Sequence, residues 1–196
     1  MKEHVHPTGN PQGKGMVPVL DQLRAIAPWD VAAKSPEQIL RDYCLSSLVL
    51  SAIFKFRAVP GNSYHLYRVN QQWQLSLISP QEWGGRLPGA PVARCELAPD
   101  MTWSIVLTDN VNEDTSLINA LQQFIRSFAD RLASAQTLEA SLPVYEVNLP
   151  YQQRMMATAL SASLRGSLAL SGLNGGASRV WLQRLGVDGL LGFEPA

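Results

Sequence analysis

His65 stands between Tyr64 and Tyr67 in the middle of the chain, where an imidazole can take up or release a proton near neutral pH. A proton carrier alone does not make an active site. No serine elbow, no Cys–His pair and no helical metal motif can be assigned around it, and the spacing of Glu82, Glu96 and Asp100 neither builds nor excludes a carboxylate pair. A strand histidine hydrogen-bonded at the surface is the stronger reading, and a small-ligand or enzymatic site around His65 and its tyrosines is the alternative. No cofactor and no catalytic residue is expected.

Arginine supplies the second chemistry. Lys55, Arg57, Arg68, Arg86 and Arg94 interleave with Phe54, Phe56, Tyr64, Tyr67 and Trp73, as a sheet that stacks bases and steadies phosphates would require. The same aromatics are needed to bury the sheet itself. Lys and Arg together number 16 and so do Asp and Glu, which argues against a general attraction to nucleic acid or to anionic lipid. Recognition of another protein is the third chemistry. Apolar residues make up 46% of the 196 and charged residues only 16%, so a partner or a second copy of the chain is expected to cover part of the apolar excess. The aromatic margin formed by Tyr67, Trp83 and Trp103 and the apolar face of a helix are the surfaces it would use.

Other chemical signals are weak. His4 and His6 share one side of an extended tail, but without a thiol or carboxylate nearby they make no metal site. Gly9 and Gly13-Lys14-Gly15 look faintly like a phosphate loop, yet Gly15 occupies the place of the Ser or Thr that binds magnesium. Cys44 and Cys95 read as two buried, reduced thiols.

The elements that position these residues can be read from period and punctuation. Ser35-Pro36-Glu37-Gln38 is a capping box with proline at the first helical position, and Ile39, Leu40, Tyr43, Cys44, Leu48 and Val49 follow at helical spacing. That helix should run to about Leu50 and give way to a strand at Phe54–Ala58. Tyr64–Val69 and Trp73–Ser79, joined by Asn70-Gln71-Gln72, form the hairpin around which the fold is organised. Val92–Leu97 and Thr102–Leu107 are two further strands, with a turn at Ala98-Pro99-Asp100-Met101. Asp114 or Thr115 caps a helix lined by Leu117, Leu121, Ile125, Phe128 and Leu132. Val144–Leu149 reads as a sixth strand or a crossing. Pro150 opens a long helix that ends near Gly172, with Ala159, Ser163, Ser167 and Ser171 as a stripe of small residues, and Ser178–Leu185 is a last short helix. The apolar run from Met155 to Leu173 is broken by Arg165 and by serines, so it reads as a packed helix and not as a membrane span.

The expected fold is α+β: an antiparallel sheet of about five strands, a meander or a small partly open barrel, with one helix before it and two or three after it. Residues 1–15 are expected to be a mobile tail, 16–108 the helix and sheet, and 109–196 a helical part on the same domain. Met16–Leu20 reads as an edge strap, and a short helix is expected near Asp21–Ile26. The first fifteen residues have no apolar signal region, which gives a cytoplasmic location by default.

Pro60-Gly61-Asn62-Ser63-Tyr64-His65-Leu66-Tyr67, Leu77-Ile78-Ser79-Pro80-Gln81-Glu82-Trp83-Gly84, Leu97 and Asp100-Met101-Thr102-Trp103 resemble a family of small proteins known as the domain of unknown function numbered twenty-four fifty-two, with bacterial members and eukaryotic relatives. Asn10–Gly15 and Val17–Leu20 are similar to its bacterial branch. The likeness covers residues 10–105 in pieces. It implies a domain boundary and carries no activity, cofactor or catalytic residue. The functional expectation is a protein of unknown function that acts as a non-enzymatic binding or adaptor module, with a nucleic-acid-binding sheet as the second reading. The candidate binding residues are Arg57, Tyr64, His65, Tyr67, Arg68, Trp83, Arg94 and Trp103.

Overall fold

Ser35 opens the first helix in the way its neighbours require. In the structure, a computed structural model that describes residues 28–143 and 149–184, the Gln38 amide donates to Ser35 Oγ at 3.2 Å and the Ser35 amide donates to Gln38 Oε1 at 3.0 Å. With two first-turn donors satisfied, helix α1 runs over Pro36–Leu50 and buries Ile39, Leu40, Tyr43, Cys44, Leu48 and Val49. The expected tail, the strap at Met16–Leu20 and the short helix near Asp21–Ile26 lie outside the described residues, as do His4, His6 and Gly13–Gly15.

Four strands form one antiparallel sheet: β1 (Ser63–Val69), β2 (Gln72–Ser76), β3 (Ala90–Leu97) and β4 (Trp103–Leu107), in the order β2-β1-β3-β4. Two features differ from expectation. The segment Phe54–Ala58 alternates buried and exposed residues as a strand does, but its backbone leaves the sheet after a single bridge at Ile53, whose amide donates to Trp73 O at 2.8 Å. Side chains hold it instead: Phe56 lies 5.5 Å from both Phe54 and Tyr64, and the Val59 amide donates to Tyr64 Oη at 2.7 Å. A period of two reports which side is buried, and does not report whether a neighbouring backbone is within reach. The sheet therefore has four strands rather than about five. The order also departs from a meander, because β3 pairs with the free side of β1 and not with β2.

Alternation assigns the faces. Tyr64 and Leu66 of β1 share a face with Trp73 and Leu75, with Ala93, Cys95 and Leu97, and with Trp103, Ile105 and Leu107. This face carries the hydrophobic core. It is covered by α1, by α2 (Thr115–Ser134) through Leu117, Leu121, Ile125, Phe128 and Leu132, and by α4 (Tyr151–Leu170) through Met156, Leu160, Leu164 and Leu168. A 3-10 turn at Asp109–Glu113 leads into α2, and the short helices α3 (Leu138–Ser141) and α5 (Ser178–Arg184) complete five α-helices among the described residues. Asp114 caps α2 by accepting from the Ser116 and Leu117 amides at 2.9 and 3.1 Å. The expected crossing at Val144–Leu149 falls outside the described residues except for Leu149. No helix among the described residues is long and apolar enough to cross a membrane.

The turn between β1 and β2 consists of Asn70 and Gln71, both with positive φ, at 46° and 63°. That is the type I′ turn, which favours Asn followed by Gly. Gln71 is exposed and carries the left-handed penalty of a residue with a Cβ. Replacing it (Gln71→Gly) should raise stability by about 0.5–1 kcal/mol and leave the sheet intact, as read by urea denaturation; a lower midpoint would refute the assignment of the turn.

Candidate functional site

The face of the sheet away from the helices is polar, and two cross-strand rows organise it. One row runs Ser76, His65, Arg94, Val106; the other runs Ser63, Glu96, Ser104. Arg94 donates to Ser63 Oγ through Nε at 3.1 Å and Nη2 at 2.8 Å, which fixes the guanidinium beside His65. Partial burial lowers the His65 pKa; Glu82 opposes that and Arg94 adds to it, and the net shift favours the neutral imidazole. Glu82 is held below the usual carboxylate range by the side chain and backbone of Ser79, whose amide donates to Glu82 Oε2 at 2.7 Å.

A connection over residues 77–89 passes from β2 to β3 and closes part of this face. Tyr67 points outward from β1 and is nevertheless 0% exposed, because the connection lies across it. Its hydroxyl donates to Ile78 O at 2.8 Å, and burial raises its pKa, with the Trp83 side chain beside it. Ser79 and Glu82 cap a single turn, and Gly84 and Gly85, with φ of 56° and 86°, end it.

The structure thus brings together His65, Tyr67, Trp83 and Arg94. Four other candidates lie elsewhere. Tyr64 and Trp103 are in the core, edge to face with ring centroids 5.4 Å apart, so neither can stack a base. Arg57 is exposed on the segment that leaves the sheet. Arg68 is on the helix side, its guanidinium 4.2 Å from the centroid of the Trp73 ring, beside an open groove of about 620 Å³ that Gln71, Asn119 and Gln123 also line. Arg68 and Arg94 are therefore on opposite faces. Burial pushes both thiols, Cys44 and Cys95, up to about 12, which keeps them protonated and unreactive. Among the described residues no group of three His, Cys, Asp or Glu could hold a metal ion.

A family model described as protein of unknown function (DUF2452) matches residues 18–127, more than half of the 196. The chain belongs to that family. The DUF2452 span takes in α1, the whole sheet and the first part of α2, so it extends beyond the pieces between residues 10 and 105 that carry the resemblance in the sequence, while Asn10–Gly15 falls outside it. No solved structure matches the chain.

Within the DUF2452 span lies a charged cluster that the sequence does not announce. Lys34 Nζ is 2.6 Å from Asp42 Oδ2 and 2.6 Å from Asp100 Oδ2, and Asp100 Oδ1 accepts from the Thr102 hydroxyl and amide at 2.6 and 3.1 Å. The Lys34 amide donates to Ser171 Oγ, which donates back to Lys34 O, both at 2.9 Å. One residue thereby ties the β3–β4 turn, α1 and the end of α4. Burial alone would raise the Asp100 pKa, but hydrogen bonds from Lys34 and Thr102 outweigh it and the net shift is downward. Burial alone would lower that of Lys34, and the two carboxylates raise it. Burial raises that of Asp42 against the pull of Lys34.

With Lys34 Nζ bonded to both carboxylates and both Asp100 oxygens engaged, the chemistry of the cluster is that of a staple. Lys34→Met should cost about 3 kcal/mol at pH 7, since Asp100 is only 7% exposed and loses its cation. The Asp100 contribution is present above its unfolded pKa of about 3.9 and is lost as pH falls through the lower folded value. The Lys34 contribution is present below about 10.4 and is lost as pH rises through its raised folded value. The gap between wild type and variant, measured by urea denaturation against pH, should narrow at both ends; a gap independent of pH would refute the staple.

Proposed function

We propose that this DUF2452 protein is a non-enzymatic binding module, located in the cytoplasm, that engages a protein partner at the aromatic margin of the outer sheet face. The observation that carries the reading is the display of Leu77 and Ile78, adjacent apolar side chains 59% and 41% exposed, on a connection whose backbone Tyr67 holds through Ile78 O. Apolar side chains fixed in place lose little conformational entropy on docking, which favours a built surface over an incidental one. His65 and Arg94 supply a polar rim on the same face, and Trp83 backs the connection.

Leu77→Asp should abolish retention of a partner by the immobilised full-length chain while circular dichroism and the thermal midpoint stay within error of wild type. Tyr67→Phe should weaken retention less, and should lower stability by about 1 kcal/mol through loss of one hydrogen bond. Equal retention by wild type and Leu77→Asp, or no retention by wild type from any extract, would end this reading.

A further inference from the structure

Arg68 takes the last core-face position of β1, after Tyr64 and Leu66, and its cross-strand partner is Trp73. Where the earlier positions of that face carry apolar side chains, a cation stands at the end of the sheet, its guanidinium 4.2 Å from the centroid of the Trp73 ring. Its backbone is closely packed as well, since a Cβ at Gly89 would collide with Arg68 O. The Arg68 side chain makes no hydrogen bond and no ion pair among the described residues, so its N–H groups are unmatched there. Partial burial lowers its pKa, and no carboxylate offsets that.

The groove beside it, of about 620 Å³, lies between this corner of the sheet and the start of α2. Ser116, Asn119, Ala120 and Gln123 line it at i, i+3, i+4 and i+7, which is one helical face, and Gln71 and Ala90 line it from the sheet. The alanines leave the space, and the carboxamides bring both donors and acceptors to it. Asp114 lines the same groove. Its Oδ1 accepts from the Ser116 and Leu117 amides at 2.9 and 3.1 Å, so the start of α2 already has its anion and the cation left without one is Arg68.

We infer that this groove binds a small polar carboxylic acid, with its carboxylate on the Arg68 guanidinium and its other polar groups among Gln71, Asn119 and Gln123. A guanidinium is a planar fork that meets a carboxylate through two parallel N–H···O bonds, and the Trp73 ring holds the fork in place before a ligand arrives. The charge chooses among oxyanions. One cation in a groove that also holds Asp114 suits a single negative charge, whereas a phosphate dianion would be repelled by that carboxylate and would meet no second cation among the described residues that line the groove. A free amino or hydroxy acid and the C-terminus of a short peptide share this chemistry, a carboxylate with hydrogen-bonding groups next to it.

NMR of the arginine Nε–H groups and of the Asn and Gln side-chain amides in the full-length chain tests this. The probes are the free amino acids, lactate and triglycine, each beside its carboxamide counterpart, with inorganic phosphate as the competing oxyanion. At least one acid should shift the Arg68 signal saturably at millimolar concentration or below, and its carboxamide should not. Saturation by an amino acid or lactate without a response to triglycine identifies a free acid as the ligand, and saturation by triglycine a peptide end. Arg68→Met keeps an apolar cover on Trp73 and should weaken binding, read at the Asn119 and Gln123 amides, about tenfold or more. Asn119→Ala/Gln123→Ala, at exposed helix positions that accept alanine, should weaken it about fivefold at the Arg68 signal, with the circular dichroism spectrum unchanged in both variants. No saturable shift with any acid, phosphate binding as tight as the best acid, or undiminished binding by Arg68→Met would overturn the inference.

Discussion

A four-stranded antiparallel sheet has two faces, and in this chain only one of them is apolar. Tyr64, Leu66, Trp73, Leu75, Cys95, Leu97 and Trp103 must all leave water on the same side, and no hairpin of this length can achieve that alone. The cover comes from both directions in sequence: α1 precedes the sheet, and α2 and α4 follow it. One continuous core from Ile39 to Trp181 results, so the helical second half is part of the condition for the sheet to exist. The Lys34 cluster belongs to the same arrangement, since it joins the start of the cover, the turn of the last hairpin and the end of the last long helix.

The strand order then dictates the outer face. Because β3 docks on the far side of β1, the chain after β2 must return past β1, and residues 77–89 make that passage over the polar face. A backbone segment crossing a sheet needs partners for its own polar groups and something apolar to lie on. Tyr67 meets both needs with one side chain, its ring filling the space beneath and its hydroxyl reaching Ile78 O. The aromatic residues of this margin thus serve to seat the connection, and the apolar side chains it leaves toward solvent are Leu77, Ile78 and Leu87, among the polar Gln81, Glu82 and Arg86 and with His65 and Arg94 beside it.

Much of this was legible in the sequence wherever the signal is local. Ser35 and Asp114 are caps, the apolar period of Leu117–Leu132 lies on one face, and Gly172, at φ 65°, closes α4. The period of Thr102–Leu107 marked a strand but not which of its faces is covered: Trp103, expected on the aromatic margin, lies in the core. Long-range geometry was not legible. Nothing near Ile53 says that its neighbours leave β2 after one bridge, and nothing near Gln72–Ser76 says on which side of β1 the next strand will dock. Lys34 and Asp100 are 66 residues apart, and each alone looks like an ordinary surface charge. Arg68 and Arg94 were separable only once the register placed them on opposite faces.

The serine-rich stripe of α4 shows how one composition can serve two ends. Ala159, Ser163 and Ser167 are buried, and α1 packs against α4, so the small side chains let two helices of the same chain approach closely. Alanine would do so too, without a hydroxyl to satisfy. Ser161 Oγ donates to Ala157 O at 2.9 Å and Ser171 exchanges two bonds with Lys34, whereas the Ser163 and Ser167 hydroxyls are buried without a hydrogen-bond partner among the described residues. An unpaired buried hydroxyl costs about 1–3 kcal/mol, so alanine at either position would pack as closely at lower cost. The stripe is closed from within the chain, and large apolar side chains remain exposed on the sheet side, among them Leu77 and Ile78 of the 77–89 connection.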